Sequence, residues 1–358
     1  MVRRIGHRWQ NMRKDDIPLE RLIEHFRLFN RTENKSPRTV EWYDENLQLF
    51  LHWLQRCGKS TLLGDLDIHI VREFIINQQD RTIKHENHPF APPTPGGFSS
   101  HTIQSRVRAL RSFFHWLKRE GYAETHILED LKVPKVQKNL VEILSEEEIR
   151  AILGAIDRNT ANGARNYAIV WIFLDTGLRC SELTNLKYED THIEEGYLRV
   201  LGKGNKERVV PVGANGQRII LRYRDHFRPQ PNGAAINNFF LSLDGQPLTV
   251  NSVEQILGRL GKRAGVKRLH PHLLRHTFAT RYLINGGDVF TLQRILGHTT
   301  LAMVNQYVQL ASSHVVIQHR KFSPMDALGL RHRERNTTRV SKSKESVSKT
   351  RKATPAAI

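Results

Sequence analysis

A chain of 358 residues is too long for one small core and points to two domains. Its 55 Lys and Arg against 36 Asp and Glu leave a formal net charge of +19 and a pI of about 10.2. Such an excess favours a polyanionic partner, with nucleic acid ahead of an anionic membrane surface. No apolar run approaches the ~18 residues of a membrane-spanning helix, and Cys57 and Cys180 stand too far apart for metal-ligand spacing, so a reduced, cytoplasmic protein is expected.

In chain order, Met1–Arg13 is basic but has no apolar core or cleavage site, so no secretory signal is expected. Residues 1–15 read as a basic extension. Residues 16–132 read as helical. Val40, Tyr43, Leu47, Phe50 and Leu54 share one helical face, with Ser36 as N-cap and Pro37 as the first helical residue. His88–Gly97 is a proline- and glycine-rich loop. A further amphipathic helix carries Ile103, Val107, Leu110, Phe114 and Leu117, with Ser99 or Ser100 as cap. Arg106, Arg108, Arg111, Lys118 and Arg119 decorate it; they are either a solvated face or contacts to nucleic-acid phosphates.

Residues 133–144 read as a linker, and the stretch 132–139 places Lys132, Lys135 and Lys138 around a helix-stopping proline. A second domain, 145–328, opens on Ser145-Glu146-Glu147-Glu148, a capping-box pattern with acids in the first turn. The near-continuous apolar run Tyr167–Leu174 predicts a buried helix ending at Gly177. Arg179 then falls in a turn before another helix, Ser181–Leu186. Residues 197–201 and 208–212 alternate as a hairpin around the tip Gly202-Lys203-Gly204-Asn205-Lys206-Glu207. Helices follow at 251–264 and 271–285, and Asp288 caps one that runs to Leu296. From residue 329 the chain is rich in Arg, Lys, Ser and Thr without apolar periodicity, which predicts a basic disordered tail, 329–358.

Five strings in the second half carry chemistry: Thr176-Gly177-Leu178-Arg179-Cys180-Ser181-Glu182-Leu183, the Gly202–Arg208 tip, His272-Leu273-Leu274-Arg275-His276-Thr277, Leu296-Gly297-His298, and Tyr307 nine residues later. A phosphodiester gathers negative charge as a fifth oxygen approaches phosphorus. Guanidinium groups answer that charge without a metal, because Arg is always charged and forks onto two oxygens. Arg179 and Arg275 are the candidates. His272 precedes Arg275 by three residues and shares its helix face, but His270 and His276 are so close that spacing cannot choose among the three. His272 and His276 also have the i, i+4 spacing of zinc ligands. No Glu intervenes, however, and Arg275 beside them would repel a dication. Tyr307 is a poor nucleophile at a phenol pKa of about 10, unless neighbouring cations stabilise its phenolate. The leaving oxygen needs a proton, which Lys203 on the hairpin, or Lys206 in its place, could supply.

Taken in order, these strings resemble those of the tyrosine recombinases, the family of lambda integrase, Cre and the XerC/XerD proteins. The resemblance covers about Ser145 to Tyr307 closely and the helical half more loosely. It implies a mainly α fold of two domains: a helical core-binding domain, and a mixed α+β catalytic domain with a small sheet. It implies a site-specific recombinase that cuts and rejoins DNA through a 3′-phosphotyrosyl link, with no cofactor, metal or ATP. Arg179 and Arg275 would clamp the scissile phosphate, and Lys203 would protonate the leaving 5′-oxygen. His272 would assist proton transfer, His298 would hold a nonbridging oxygen or orient the nucleophile, and Tyr307 would attack. Glu182 is expected to support the site by pairing with its neighbours. The partners implied are double-stranded DNA and a tetramer of the chain on two sites. The residues before Tyr307, Ala302–Gln306, depart from the consecutive threonines of many relatives. Two readings compete: a DNA-binding protein on this fold that no longer cuts, and a type IB topoisomerase. The filled catalytic positions argue against the first, and the strings as a set favour recombination over the second.

Overall fold

A computed structural model of the chain describes residues 13–84, 92–132, 141–202, 206–311, 319 and 323–324. The chain divides into two compact units, residues 1–139 and 140–358. Among the described residues no helix is long and apolar enough to cross a membrane. The expected mainly helical fold with a small sheet is what the structure has.

The first unit is built on α1 (Leu19–Thr32), α2 (Pro37–Arg56), α3 (Ile68–Asp80) and α4 (Ser100–Arg119). Ser36 caps α2 by accepting from the Thr39 N–H, with Pro37 in the first turn. Ser99, not Ser100, caps α4, accepting from the Thr102 N–H. The predicted faces turn inward: Leu47, Phe50 and Leu54 of α2 meet Val107, Leu110 and Phe114 of α4 in one core. Phe26 lies edge-on to Phe113 at 5.4 Å and Phe50 edge-on to Phe74 at 5.1 Å, the aromatic geometry that adds to area burial. The loop expected at 88–97 is not wholly irregular. Thr94–Pro95 (β2) pairs antiparallel with Ile83–Lys84 (β1), too short a ladder for alternation to reveal.

The second unit comprises α5 (Glu146–Gly154), α6 (Ala161–Thr176), α7 (Cys180–Asn185), β3 (Thr191–His192), β4 (Tyr197–Leu201), β5 (Glu207–Pro211), α8 (Ala214–Arg222), α9 (Val250–Arg263), α10 (Pro271–Ile284), α11 (Val289–Leu296) and α12 (Ala302–Ala311). The capping box at Ser145 and Glu148 forms with both reciprocal bonds. The hairpin pairs Val200 with Arg208, and β5 begins one residue earlier than predicted. A third strand, β3, extends the sheet along β4. Its two residues are too few for a periodic signal. Alternation along the hairpin buries Leu198, Val200 and Val210 and turns Arg208 to the same inner side as Val210. Helix α6 is the hub: Ala168, Ile169, Val170, Ile172 and Phe173 are fully buried, and α10 packs along it.

Candidate active site

The turn that ends α6 sets the position of Arg179. Gly177 takes the left-handed conformation at φ +62°, and a Cβ there would come within 2.3 Å of the Phe278 ring. Glycine is therefore required both for the turn and for the approach of α10. The chain re-enters helix at Cys180, and the Glu182 carboxylate caps α7 by accepting the Arg179 backbone N–H at 2.8 Å. That carboxylate also takes Arg179 Nη1 at 2.8 Å. From β5, Arg208 forks onto both its oxygens, Nη1 at 2.7 Å and Nη2 at 2.8 Å, while its Nε donates to the Ile295 carbonyl at 2.8 Å. The Arg179 side chain stays 30% exposed against 3% for Glu182 and 13% for Arg208, so of the three it is Arg179 that a ligand reaches.

Burial pushes the Glu182 carboxyl up, but the hydrogen bonds from Arg208 and the Arg179 N–H outweigh it and hold the pKa below the usual carboxylate range. The network predicts its own weakness. Glu182→Ala would leave Arg208 facing Arg179 in a largely buried setting, and breaking such a pair costs about 3–5 kcal/mol. Denaturant unfolding is expected to show a loss of that order; a change near zero would mean that the carboxylate carries no structural load.

Arg275, on α10, is 4% exposed. Its Nη1 donates to the Gly177 carbonyl at 2.5 Å and its Nη2 to the Leu296 carbonyl at 2.8 Å, so one guanidinium closes the C-terminal ends of α6 and α11. Nη2 also lies 2.9 Å from His298 Nε2. Arg only donates, so Nε2 accepts, and a neutral His298 carries its proton on Nδ1. That Nδ1 is buried with no hydrogen-bond partner among the described residues, a donor left open in the free protein. Burial, then Arg179, lowers the Arg275 pKa to about 10, which leaves it charged at neutral pH.

Tyr307, on α12, is 1% exposed. Its Oη lies 2.9 Å from Nδ1 of His276, and its ring lies parallel to that of His298 with centroids 6.4 Å apart. Burial raises the phenol pKa, opposed by the charge of Arg275. His272 is at an exposed position of α10, its ring centroid 6.3 Å from that of His276. The fold thus brings Arg179, Arg275, His298 and Tyr307 together, with His272 alongside. Lys203 lies outside the described residues, as do Lys135 and Lys138. Lys206 is exposed at the hairpin and shares a cleft of about 880 Å³ with Arg179, Arg208, Arg294, His298 and Thr299. With four cationic side chains against Glu207, the cleft suits an anion. Among the described residues no cluster of three or more His, Cys, Asp or Glu is placed to hold a metal ion.

Two residues of this site escaped the sequence reading. Arg208 stands in the recognised hairpin string, but only the hairpin's inward face shows it to be the partner of Glu182. His276 was one of three clustered histidines, and only the packing of α12 on α10 singles it out.

Burial, together with charged neighbours, lowers the pKa of both His276 and His298 to about 4. The unfolded chain binds protons near pH 6.5 that the folded site refuses. Stability from these two imidazoles is therefore complete above about pH 6.5 and drains away as pH falls toward about 4. Urea midpoints at pH 7 and pH 5 should differ in that direction, and the double variant His276→Asn/His298→Asn should narrow the gap. An unchanged gap would remove these residues as its source.

The model of the phage integrase family matches residues 142–314. The tyrosine recombinase XerD of Listeria monocytogenes is 32% identical over 307 residues, 85% of this chain and 98% of that protein. The XerD of Staphylococcus aureus is 34% identical over 309 residues, covering 86% and 99%. The chain belongs to the tyrosine recombinases. Its fold is also that of the Tn1549 transposon integrase solved in complex with transposon right-end DNA, at a TM-score of 0.66 and 20% identity over 81% of this chain and 94% of that one. As a member of the family it is an enzyme of DNA strand breakage and rejoining, acting through a covalent tyrosine–DNA intermediate.

In the first unit of this recombinase, Arg106 is largely engaged internally. Its guanidinium lies over the Phe98 ring, 3.9 Å from the centroid, and donates to Gln78 Oε1 across to α3. Burial, then Arg81, lowers its pKa to about 10. Arg108 and Lys132 are exposed, and Arg111 is half-buried.

Proposed function

We propose that Tyr307 is the nucleophile of a site-specific recombinase that joins its hydroxyl to a scissile phosphate and passes the strand to a new 5′-hydroxyl. The observation that carries this reading is the convergence of four separate segments: Arg179 and His298 line one cationic cleft, and buried Arg275 and Tyr307 adjoin it through His298. Arg179 and Arg275 hold the nonbridging oxygens and stabilise the charge of the five-coordinate phosphorus. The open Nδ1–H of His298 donates to one of those oxygens, and exposed His272 makes a further contact there. Lys203 gives its proton to the departing 5′-oxygen. The phosphotyrosyl bond retains the energy of the phosphodiester, so no ATP or metal is consumed. Arg108, Arg111, Lys132, Lys135 and Lys138 supply phosphate contacts outside the site, with Arg108 and Lys132 the more available of those described, while Arg106 stays tied to Phe98 and Gln78. Four copies assemble on two DNA sites in the cytoplasm, and the basic tail from residue 329 adds sequence-independent attraction.

Covalent capture tests the reading. A randomised pool of nicked duplexes is incubated with the protein, and SDS-stable complexes are recovered, sequenced and digested. A DNA adduct on the peptide containing Tyr307, within a recurrent sequence, is the expected result. Failure to capture any duplex, or an adduct elsewhere, would overturn it.

A further inference from the structure

The strings assign phosphate contacts, a leaving-group acid and a nucleophile, but they leave the hydroxyl proton of Tyr307 without a clear destination. His272 was the sequence candidate for proton handling. In the structure His272 is at an exposed position, and it is His276 whose Nδ1 lies 2.9 Å from Tyr307 Oη. The two rings sit 5.6 Å apart between centroids. We propose that His276 is a catalytic residue of this recombinase, the general base that takes the Tyr307 proton; the inference rests on Tyr307 being the nucleophile.

The step balances with groups already named. The Oη–H bond breaks and an Nδ1–H bond forms on His276. The freed oxygen pair bonds to phosphorus, the P–O5′ bond breaks, and the 5′-oxygen takes a proton from Lys203. In rejoining, the incoming 5′-hydroxyl returns its proton to the lysine, and His276 returns its own to Tyr307 as the phosphotyrosyl bond opens. No oxidant, metal or water enters.

The surroundings of His276 give the arrangement a control. His272 and Arg275 on its own helix, His270 at that helix's N-cap, Tyr307 on α12 and His298 beyond α11 are the titratable and charged groups around it among the described residues. Before DNA binds, burial, then the charges of His272, Arg275 and His270, disfavour a charged imidazole, so the tyrosine keeps its proton. A phosphodiester seated against Arg275 adds a negative charge on the adjacent residue of α10 and favours the imidazolium. The nucleophile is thereby armed when its target is in place and idle otherwise.

The test uses the full chain and the duplex recovered by covalent capture, so a failure of the proposed function shows first as no capture by the unaltered protein. His276→Asn keeps an amide near Oη but cannot take a proton; His276→Gln is the second variant should Asn disturb folding. Single-turnover formation of the covalent complex is expected to slow by ~100-fold or more, with duplex affinity and melting temperature retained. Placing 3,5-difluorotyrosine at position 307, a phenol that ionises more readily, should recover much of the loss in the variant. A 5′-bridging phosphorothiolate, whose sulfur leaves without a proton, should rescue Lys203→Ala but not His276→Asn. Cleavage at the unaltered rate in both variants would overturn the proposal. So would rescue by the phosphorothiolate, which would place His276 on the leaving-group side.

Discussion

Tyr307→Phe is expected to abolish the covalent protein–DNA complex altogether, not merely slow it. Tyr307 is the hydroxyl whose ring lies against His298 beside Arg275, and without the phenol oxygen position 307 has nothing to form the bond to phosphorus. The substitution is also a clean one. The ring is 1% exposed and packs with Val304 in the main core of the unit, so phenylalanine keeps nearly all of the buried surface. What it loses is the hydrogen bond to His276, worth about 1 kcal/mol in net stability. The variant should therefore fold, bind DNA and fail to cleave. The measurement is the yield of SDS-stable adduct on the captured duplex, read beside duplex affinity. An adduct at ordinary yield in the variant would take the nucleophile role from Tyr307.

Arg275→Ala is expected to lose both chemistry and stability, in contrast to Arg179→Ala. Removing one fixed contact to transition-state charge lowers cleavage by ~100- to 1,000-fold, and either substitution should do that. Arg275, however, also joins the Gly177 and Leu296 carbonyls and His298 from a position 4% exposed. Alanine leaves two helix ends and an imidazole nitrogen unpaired, each buried orphan costing about 1–3 kcal/mol. Arg179, 30% exposed, leaves behind mainly a carboxylate that Arg208 still holds. Arg275→Lys should recover part of the charge but not the geometry, since one ammonium cannot fork between two carbonyls in line with both. Denaturant unfolding together with single-turnover cleavage separates the two effects. Equal stability losses at the two positions would show that the buried bonds of Arg275 add nothing.

Much of this molecule was legible in the order of its residues. Ser36, Ser145 and Asp288 marked helix starts because a cap is a local bond between near neighbours. The faces of α2 and α4 could be read because the helical period decides which side chains align. The hairpin was found to within one residue because alternation is local too. The spaced strings named Arg179, Arg275, His298 and Tyr307 through residue type and order alone. The short strands β1, β2 and β3 were missed because two residues carry no period. Helices α1, α3 and α8 were not singled out, although α1 and α8 carry distinct apolar faces in their own sequence and only α3 has a weak one.

What the sequence determined by itself was the family, the chemistry and a list of candidate groups, since those reside in residue type and spacing. What only the tertiary structure decided was which groups touch. Arg275 reaches Gly177 across 98 positions of chain, Arg208 reaches Glu182 across 26, and His276 meets Tyr307 across 31. Local spacing sets the side chain's direction on its own helix or strand, but a partner is chosen by how those elements pack. For this reason Arg208 became part of the site and Arg106 proved to be tied within its own unit. For the same reason the hydroxyl of Tyr307 has His276 as its partner, one of three neighbouring histidines that differ in sequence by almost nothing and in surroundings by a helix packed against one of them.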